Sequence, residues 1–299
     1  MKRTIWLASY PKSGNTWLRL LLANLDQEGP VDINDIPGQG IASSRAWFDN
    51  VTLFPSGLLT HDECEQLRPA VHSAIHSMRY LDENETPDAK LRFVKTHDGY
   101  TFTKSGEPLL AGSGGADGAV LIVRDPRDVA PSLANHNGTD IDAAIEYMAK
   151  AEISLCASRR TQPNQLRQRL LGWNGFIQSW LDQRDIPVHV VRYESLKEDT
   201  VGALRAVLEF TEVPSSDDAI QRAVRSADFD ELQRQEASTG FREAPRRGTD
   251  TRFFRRGVSG AWKDELTPTQ LATIECNHGP MMTSLGYPLI HAPQQECAK

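Results

Sequence analysis

The chain has little that would make it a membrane, secreted or nucleic-acid-binding protein. No apolar run approaches the roughly 18–20 residues that a membrane helix needs. The N-terminal stretch TIWLASY (4–10) is too short for a signal-peptide core, and Pro11-Lys12 ends it. Cysteine is scarce: Cys64, Cys156, Cys276 and Cys297 form no C-x-x-C pair and no metal-ligand spacing. That scarcity leads us to expect free thiols in a reducing compartment, and neither a disulfide framework nor a zinc site. Net positive charge is also absent. With 33 Lys+Arg against 40 Asp+Glu the formal charge is −7, which argues against a general nucleic-acid binder but leaves room for a local anion pocket. There is no internal repeat, no low-complexity tract and no G-x-x-x-x-G-K-[ST].

What is present is enough apolar material for a sizeable core: 39% hydrophobic residues in 299. Short apolar runs read as strands over 4–10, 91–97, 119–125 and 188–193. Helices are expected over 17–25, 61–80, 127–136, 141–158, 165–183, 199–210 and 216–226, with a last one after the Thr267-Pro268 cap pair. Strands alternating with helices imply an α/β fold with a central parallel sheet flanked by helices. No linker divides the chain, so residues 1–299 read as one domain. Residues 26–60 look irregular. The glycine-bearing stretch 99–118 reads as a mobile loop, and residues 236–252 as a further covering loop.

Tyr10-Pro11-Lys12-Ser13-Gly14-Asn15-Thr16-Trp17 lies between the first strand and the first helix. Gly14 lets backbone N–H groups approach an anion, and the helix start adds free N–H groups and its positive dipole end. Lys12 supplies a charge; Ser13, Asn15 and Thr16 supply side-chain donors. Lys12 precedes Gly14, so the order differs from the loop that binds magnesium nucleotides. A plain strand-to-helix turn is the alternative. This segment resembles the 5′-phosphosulfate loop of the cytosolic-type sulfotransferases, which use 3′-phosphoadenosine 5′-phosphosulfate (PAPS).

Three further motifs follow in that family's order. Arg124, closing the third strand, and Ser132, eight residues on, can converge on one phosphate, and they resemble the family's 3′-phosphate pair. An ion pair with Asp125 or Asp128 is the other use for Arg124. Lys95-Thr96-His97 closes the second strand, where the family carries its base and a sulfonate-holding lysine. Phe253 to Lys263 resembles the C-terminal donor stretch, with Arg255, Arg256 and Gly257 on the 3′-phosphate. Tyr193, Trp17 and Phe229 resemble adenine-side contacts. The resemblance spans roughly 4–25, 91–136 and 187–263.

The resemblance implies sulfonate transfer from PAPS to a hydroxyl or amine, without a metal. His97 would take the acceptor proton, Lys12 would steady the leaving oxygen, and Lys95 would hold the sulfonate. Ser13 to Thr16 would bind the 5′-phosphate. A phosphotransferase or a non-catalytic PAPS-binding module are the alternatives. The acceptor is expected to be a small molecule or natural product. Its pocket would be walled by Trp47, Phe48 and Phe54 and by the loops at 26–60, 99–118 and 236–252. A cytoplasmic monomer or homodimer is expected; Pro268 and Ala272 replace residues of the family's usual dimer motif. Residues 241–263 hold seven basic and two acidic residues, net +5, so the rest of the chain carries −12.

Overall fold

The computed structural model describes residues 2–36, 39–78, 91–158, 160–244 and 252–291. Its strands are β1 (Arg3–Ser9), β2 (Gln39–Ile41), β3 (Leu91–Thr96), β4 (Gly118–Val123), β5 (Ser154–Leu155), β6 (Gln168–Arg169) and β7 (Val188–Arg192). Five of them form one parallel sheet in the order β2-β3-β1-β4-β7. β5 and β6 make a separate antiparallel pair. The helices are α1 (Asn15–Ala23), α2 (Arg45–Thr52), α3 (His61–Ser77), α4 (Pro126–Asn137), α5 (Ile141–Ala149) and α6 (Gly172–Asp182). They continue with α7 (Tyr193–Glu198), α8 (Thr200–Phe210), α9 (Asp217–Ser226), α10 (Phe229–Thr239), α11 (Trp262–Glu265) and α12 (Pro268–Ser284).

Burial explains why the strands read so plainly. Every residue of β4 is buried, and six of the seven in β1. A parallel sheet covered on both faces needs continuous apolar runs. Alternate β1 residues feed two different cores: Trp6 and Ala8 join Trp173, Phe176 and Trp180, while Ile5 and Leu7 join Leu18 and Leu20. The pairing register sets Ala8 beside Thr96, Ser9 beside Ile122, and Val123 beside Arg192. So the residues that follow β1, β3, β4 and β7 emerge along one edge. Crevices at strand C-terminal ends are where open α/β sheets bind ligands.

Several expectations need correction. Residues 26–60 are not irregular throughout: they hold β2, α2 and a 3₁₀ turn at Ser56–Leu58. α2 is capped by Ser44, whose side chain accepts from the Trp47 N–H, a capping signal that the surrounding Gly, Asp and Asn obscured. The helix read over 141–158 stops at Ala149, and the one read over 165–183 starts only at Gly172. The short β5–β6 pair lies in the difference. The stretch 99–118 is hydrogen-bonded to itself, and Tyr100, Leu109 and Leu110 are buried; its glycines mark turns in a packed segment. The polar stretch after 234 begins inside α10. Cys64 and Cys156 are free, but Cys276 is disulfide-bonded, so the free-thiol expectation fails at that residue.

Candidate active site

A cavity of about 710 Å³ opens at the strand C-terminal edge. Lys12, Gly14, Asn15, Thr16, Trp17, Lys95, His97, Arg124, Ser132, Tyr193, Phe229, Arg255, Arg256 and Gly257 all line it. Residues far apart in sequence therefore meet as the motifs require. Ser13 is the exception. It is buried, does not line the cavity, and its Oγ has no partner.

The loop after β1 is shaped for an anion. α1 starts at Asn15 with Gly14 as N-cap and no side-chain cap. Its first N–H groups therefore lack helical partners and sit where an anion is favoured. Gly14 has φ of 101°, and a Cβ there would stand 2.5 Å from Tyr193 Cδ2, so glycine is required twice over. Lys12 itself has φ of 69°, a strained left-handed conformation for a side-chain-bearing residue. Its Nζ lies 3.8 Å from the centre of the Phe253 ring. Burial, with Arg124 and Lys95 nearby, lowers its pKa to about 7.

At the end of β3, His97 Nδ1 lies 2.6 Å from the Ser9 carbonyl oxygen. A carbonyl only accepts, so Nδ1 carries the proton and Nε2 keeps the lone pair. Burial and the Lys95 charge lower the ring's pKa to about 3, so the ring is neutral at physiological pH. A proton acceptor needs both conditions.

Arg124 follows β4. Its Nη1 donates to the Lys12 carbonyl at 3.1 Å, its guanidinium stacks 4.4 Å from the Tyr193 ring, and its Nε is buried without a partner. Arg127, not Arg124, takes the Asp125 carboxylate. Asp128 accepts from the Gly260 and Trp262 N–H groups at 2.7 and 2.9 Å. Together with Glu236, which accepts from Phe253 and Phe254 N–H, it ties the basic stretch to the rest of the fold. Arg255 and Arg256 both pair with Glu265, the former at 2.9 Å. Gly257 has φ of 62°, and a Cβ there would strike Phe229. Trp17 donates to the Ala227 carbonyl and packs edge-on to Tyr193.

The structure adds residues that the motifs do not contain. Glu243 pairs with Arg19 at 3.0 Å and Lys95 at 3.3 Å, and it accepts from Thr16 Oγ1 at 3.1 Å. Those cations hold its carboxyl far below the usual carboxylate range. Thr16 and Arg19 are three residues apart on α1 and share a face, which was the one available sequence signal. His136, at the end of α4, also lines the cavity, and burial beside Lys12 lowers its pKa to about 4.

The expected acceptor wall is different. Phe48 is buried in a satellite core with Cys64, Val71, Ile75 and Leu166; Trp47 packs against it, and Phe54 is exposed. None of the three lines the cavity. Among the described residues, the first loop contributes Gly40 and Ile41, the third Arg242 to Ala244, and residues 99–118 nothing. Residues 245–251 of the third loop lie outside the described residues.

The buried, unpartnered Nε of Arg124, the uncapped helix start and the lowered Lys12 fit a phosphate-bearing ligand. Among the described residues no His, Cys, Asp and Glu cluster could hold a metal ion, and no helix is long and apolar enough to cross a membrane.

Comparison with known proteins gives one consistent answer. A family model described as a sulfotransferase domain matches residues 2–284. Human sulfotransferase 1E1 is 23% identical over 274 residues, covering 87% of this chain and 77% of that protein. Luciferin sulfotransferase of Photinus pyralis is 23% identical over 273 residues, covering 88% and 67%. Among solved structures, mouse sulfotransferase SULT7A1 complexed with PAP superposes with a TM-score of 0.56 at 19% identity, covering 94% of this chain and 84% of that one. Retinol dehydratase with androsterone and the inactive cofactor PAP gives 0.57 at 18%, covering 93% and 80%.

Proposed function

Because this chain belongs to the sulfotransferase family, we propose that its cavity binds PAPS and carries out sulfonate transfer to an acceptor hydroxyl or amine, with adenosine 3′,5′-bisphosphate (PAP) as the other product. The observation that carries this reading is convergence: the Lys12 loop, His97 and Arg124 follow three adjacent parallel strands and line one cavity.

PAPS supplies an activated sulfonate on a good leaving phosphate. The chain's own residues position it and balance charge. The uncapped N–H groups of α1 and Thr16 take the 5′-phosphate, with Asn15 contributing its backbone. Arg124 and Ser132, with Arg255, Arg256 and Gly257, take the 3′-phosphate. Trp17, Tyr193 and Phe229 flank the adenine. His97 Nε2 accepts the acceptor's proton as the new S–O or S–N bond forms and the bond to the phosphate oxygen breaks. Lys12 steadies the negative charge arriving on that oxygen, and Lys95 holds the sulfonate. The acceptor is a small molecule. Residues 1–299 act as a single domain, as a cytoplasmic monomer or homodimer.

The reading is tested by calorimetry and by transfer. PAP should bind with magnesium or without it, and ATP with magnesium should bind far more weakly. Labelled PAPS should pass its label to a member of a panel of phenols, alcohols, sugars and amines. Tight magnesium-dependent ATP binding with no PAP binding would overturn it.

Glu243 gives a sharper expectation. Its carboxylate lies on Lys95 and Thr16, the same groups assigned to sulfonate and 5′-phosphate. An incoming anion must displace it or share those donors with it. Glu243→Gln removes the competing charge, so PAP affinity should rise by roughly tenfold, equivalent to about 1.4 kcal/mol. An unchanged Kd would mean that Glu243 does not oppose donor binding.

A further inference from the structure

Lys197, in the last turn of α7, reaches into the cavity. Its Nζ lies 5.0 Å from the centre of the Trp17 ring and 5.6 Å from that of Phe229. Among the described residues the ammonium has no ion-pair partner and no hydrogen-bond acceptor. Burial lowers its pKa, and the more distant charges of Asp228 and Asp230 offset this in part. Arg124 and Lys95, which bear on the charge of Lys12, do not bear on that of Lys197. The residue therefore stands outside the cation cluster at the phosphate end.

The two rings are held from behind. Trp17 Nε1 donates to the Ala227 carbonyl at 2.9 Å, and its ring packs edge-on to Tyr193. Phe229 packs edge-on to Phe254, and a Cβ on Gly257 would stand 2.3 Å from its Cε2. What can move is the ammonium, at the end of a flexible four-carbon stem. A π-face attracts a cation, but it leaves the hydrogen-bonding capacity of an ammonium with three donors unspent. A half-buried donor without an acceptor is an unfavourable arrangement, and a ligand that brings an acceptor relieves it.

We propose that Lys197 reads the donor's base: when adenine stacks against Trp17 and Phe229, the ammonium leaves the ring faces and donates to a ring nitrogen at the edge of the base. The inference rests on the sulfotransferase reading in taking those two rings as the adenine contacts. Stacking by itself accepts any base, because every base has a π-face. Adenine N1, N3 and N7 carry lone pairs in the ring plane, so they point outward at the rim of a stack. A donor bordering both aromatic faces adds a demand for such a lone pair.

The experiment needs no knowledge of the acceptor. Calorimetry compares PAP with methyl riboside 3,5-bisphosphate, which keeps both phosphates and lacks the base. Lys197→Met keeps the stem and removes the charge. It should weaken PAP by roughly tenfold and the riboside by less than about twofold. With 1-, 3- and 7-deaza-PAP, one analogue should bind the unaltered chain and Lys197→Met equally, because it lacks the nitrogen that the ammonium uses. Thermal melting confirms that the variant is folded, and Lys197→Gln carries the test if Lys197→Met does not fold. Equal weakening of PAP and the riboside would make Lys197 a phosphate-side charge. Unchanged or tighter PAP binding would make it a placeholder on the rings, and a full loss with all three deaza analogues would leave no ring nitrogen as its partner. Each of these results overturns the inference while leaving the sulfotransferase reading intact. An unaltered chain that binds neither PAP nor the riboside would overturn that reading, and the inference with it.

Discussion

His97→Ala should bind PAP with unaltered affinity and transfer sulfonate roughly 10²–10⁴-fold more slowly, the usual contribution of a positioned general base. The ring lines the cavity, and its Nδ1 proton is held by the Ser9 carbonyl. The lone pair is therefore on Nε2 in every molecule, not in a fraction of them. The low pKa of about 3, from burial and Lys95, has two consequences. The free protein should show no loss of kcat/KM from His97 protonation between pH 8 and pH 5, because that parameter reports the free enzyme. Entry of the anionic donor then raises the ring's basicity, since negative charge stabilises the imidazolium that forms. Measured side by side, PAP calorimetry and labelled-PAPS turnover separate the two roles. Near-normal turnover by His97→Ala would remove the residue from the base position.

Lys12→Met should lower turnover by roughly 10²–10³-fold at saturating donor, comparable to removing one donor from a preorganised oxyanion site. Methionine keeps most of the length of the stem and removes the charge. The residue's own pKa adds a signature. In the empty cavity it is lowered to about 7 by burial, Arg124 and Lys95. The bound phosphate favours the ammonium, so the pKa rises on binding. Between pH 7 and the bound value the free chain is mostly neutral at Lys12 and the complex is charged. Donor binding at pH 8 should therefore take up a proton, and PAP affinity should weaken as pH climbs above 7. Calorimetry in buffers of different ionisation enthalpy reads this uptake directly. Lys12→Met should abolish it. Equal uptake in the variant would assign the proton to another group.

Much of the site is legible in the sequence because its parts are local. A strand, a turn and a helix start within eight residues make the anion loop, and Gly14 is where the backbone must take a positive φ. Lys95 to His97 and Arg124 follow runs apolar enough to be buried strands. Thr267-Pro268 caps α12 as its residue types foretell. What the residue types misplace depends on distant contacts. α2 lies in a stretch whose composition suggests a loop, and it is stabilised by packing Phe48 against α3 residues. The glycines of 99–118 look like freedom, but Leu109 and Leu110 pin that segment in place by their burial. Trp47, Phe48 and Phe54 look like a pocket, yet the one that is fully buried faces a satellite core. Glu243 carries no motif, because its importance lies in Arg19, Lys95 and Thr16, each more than 140 residues away.

By itself, the sequence determined the alternation of strands and helices, the anion loop and the sulfotransferase kinship. These follow from hydrophobic periodicity, turn chemistry and short motifs, which act over a few residues. Only the tertiary structure decided which groups share one cavity, which nitrogen of His97 holds the proton, why Lys12 gives up its charge easily, and that the Asn15 amide bonds to β1. Each of these depends on burial and on charges or carbonyls brought close by the sheet. Burial and neighbouring fields are properties of the assembled chain, so no reading of adjacent residues contains them.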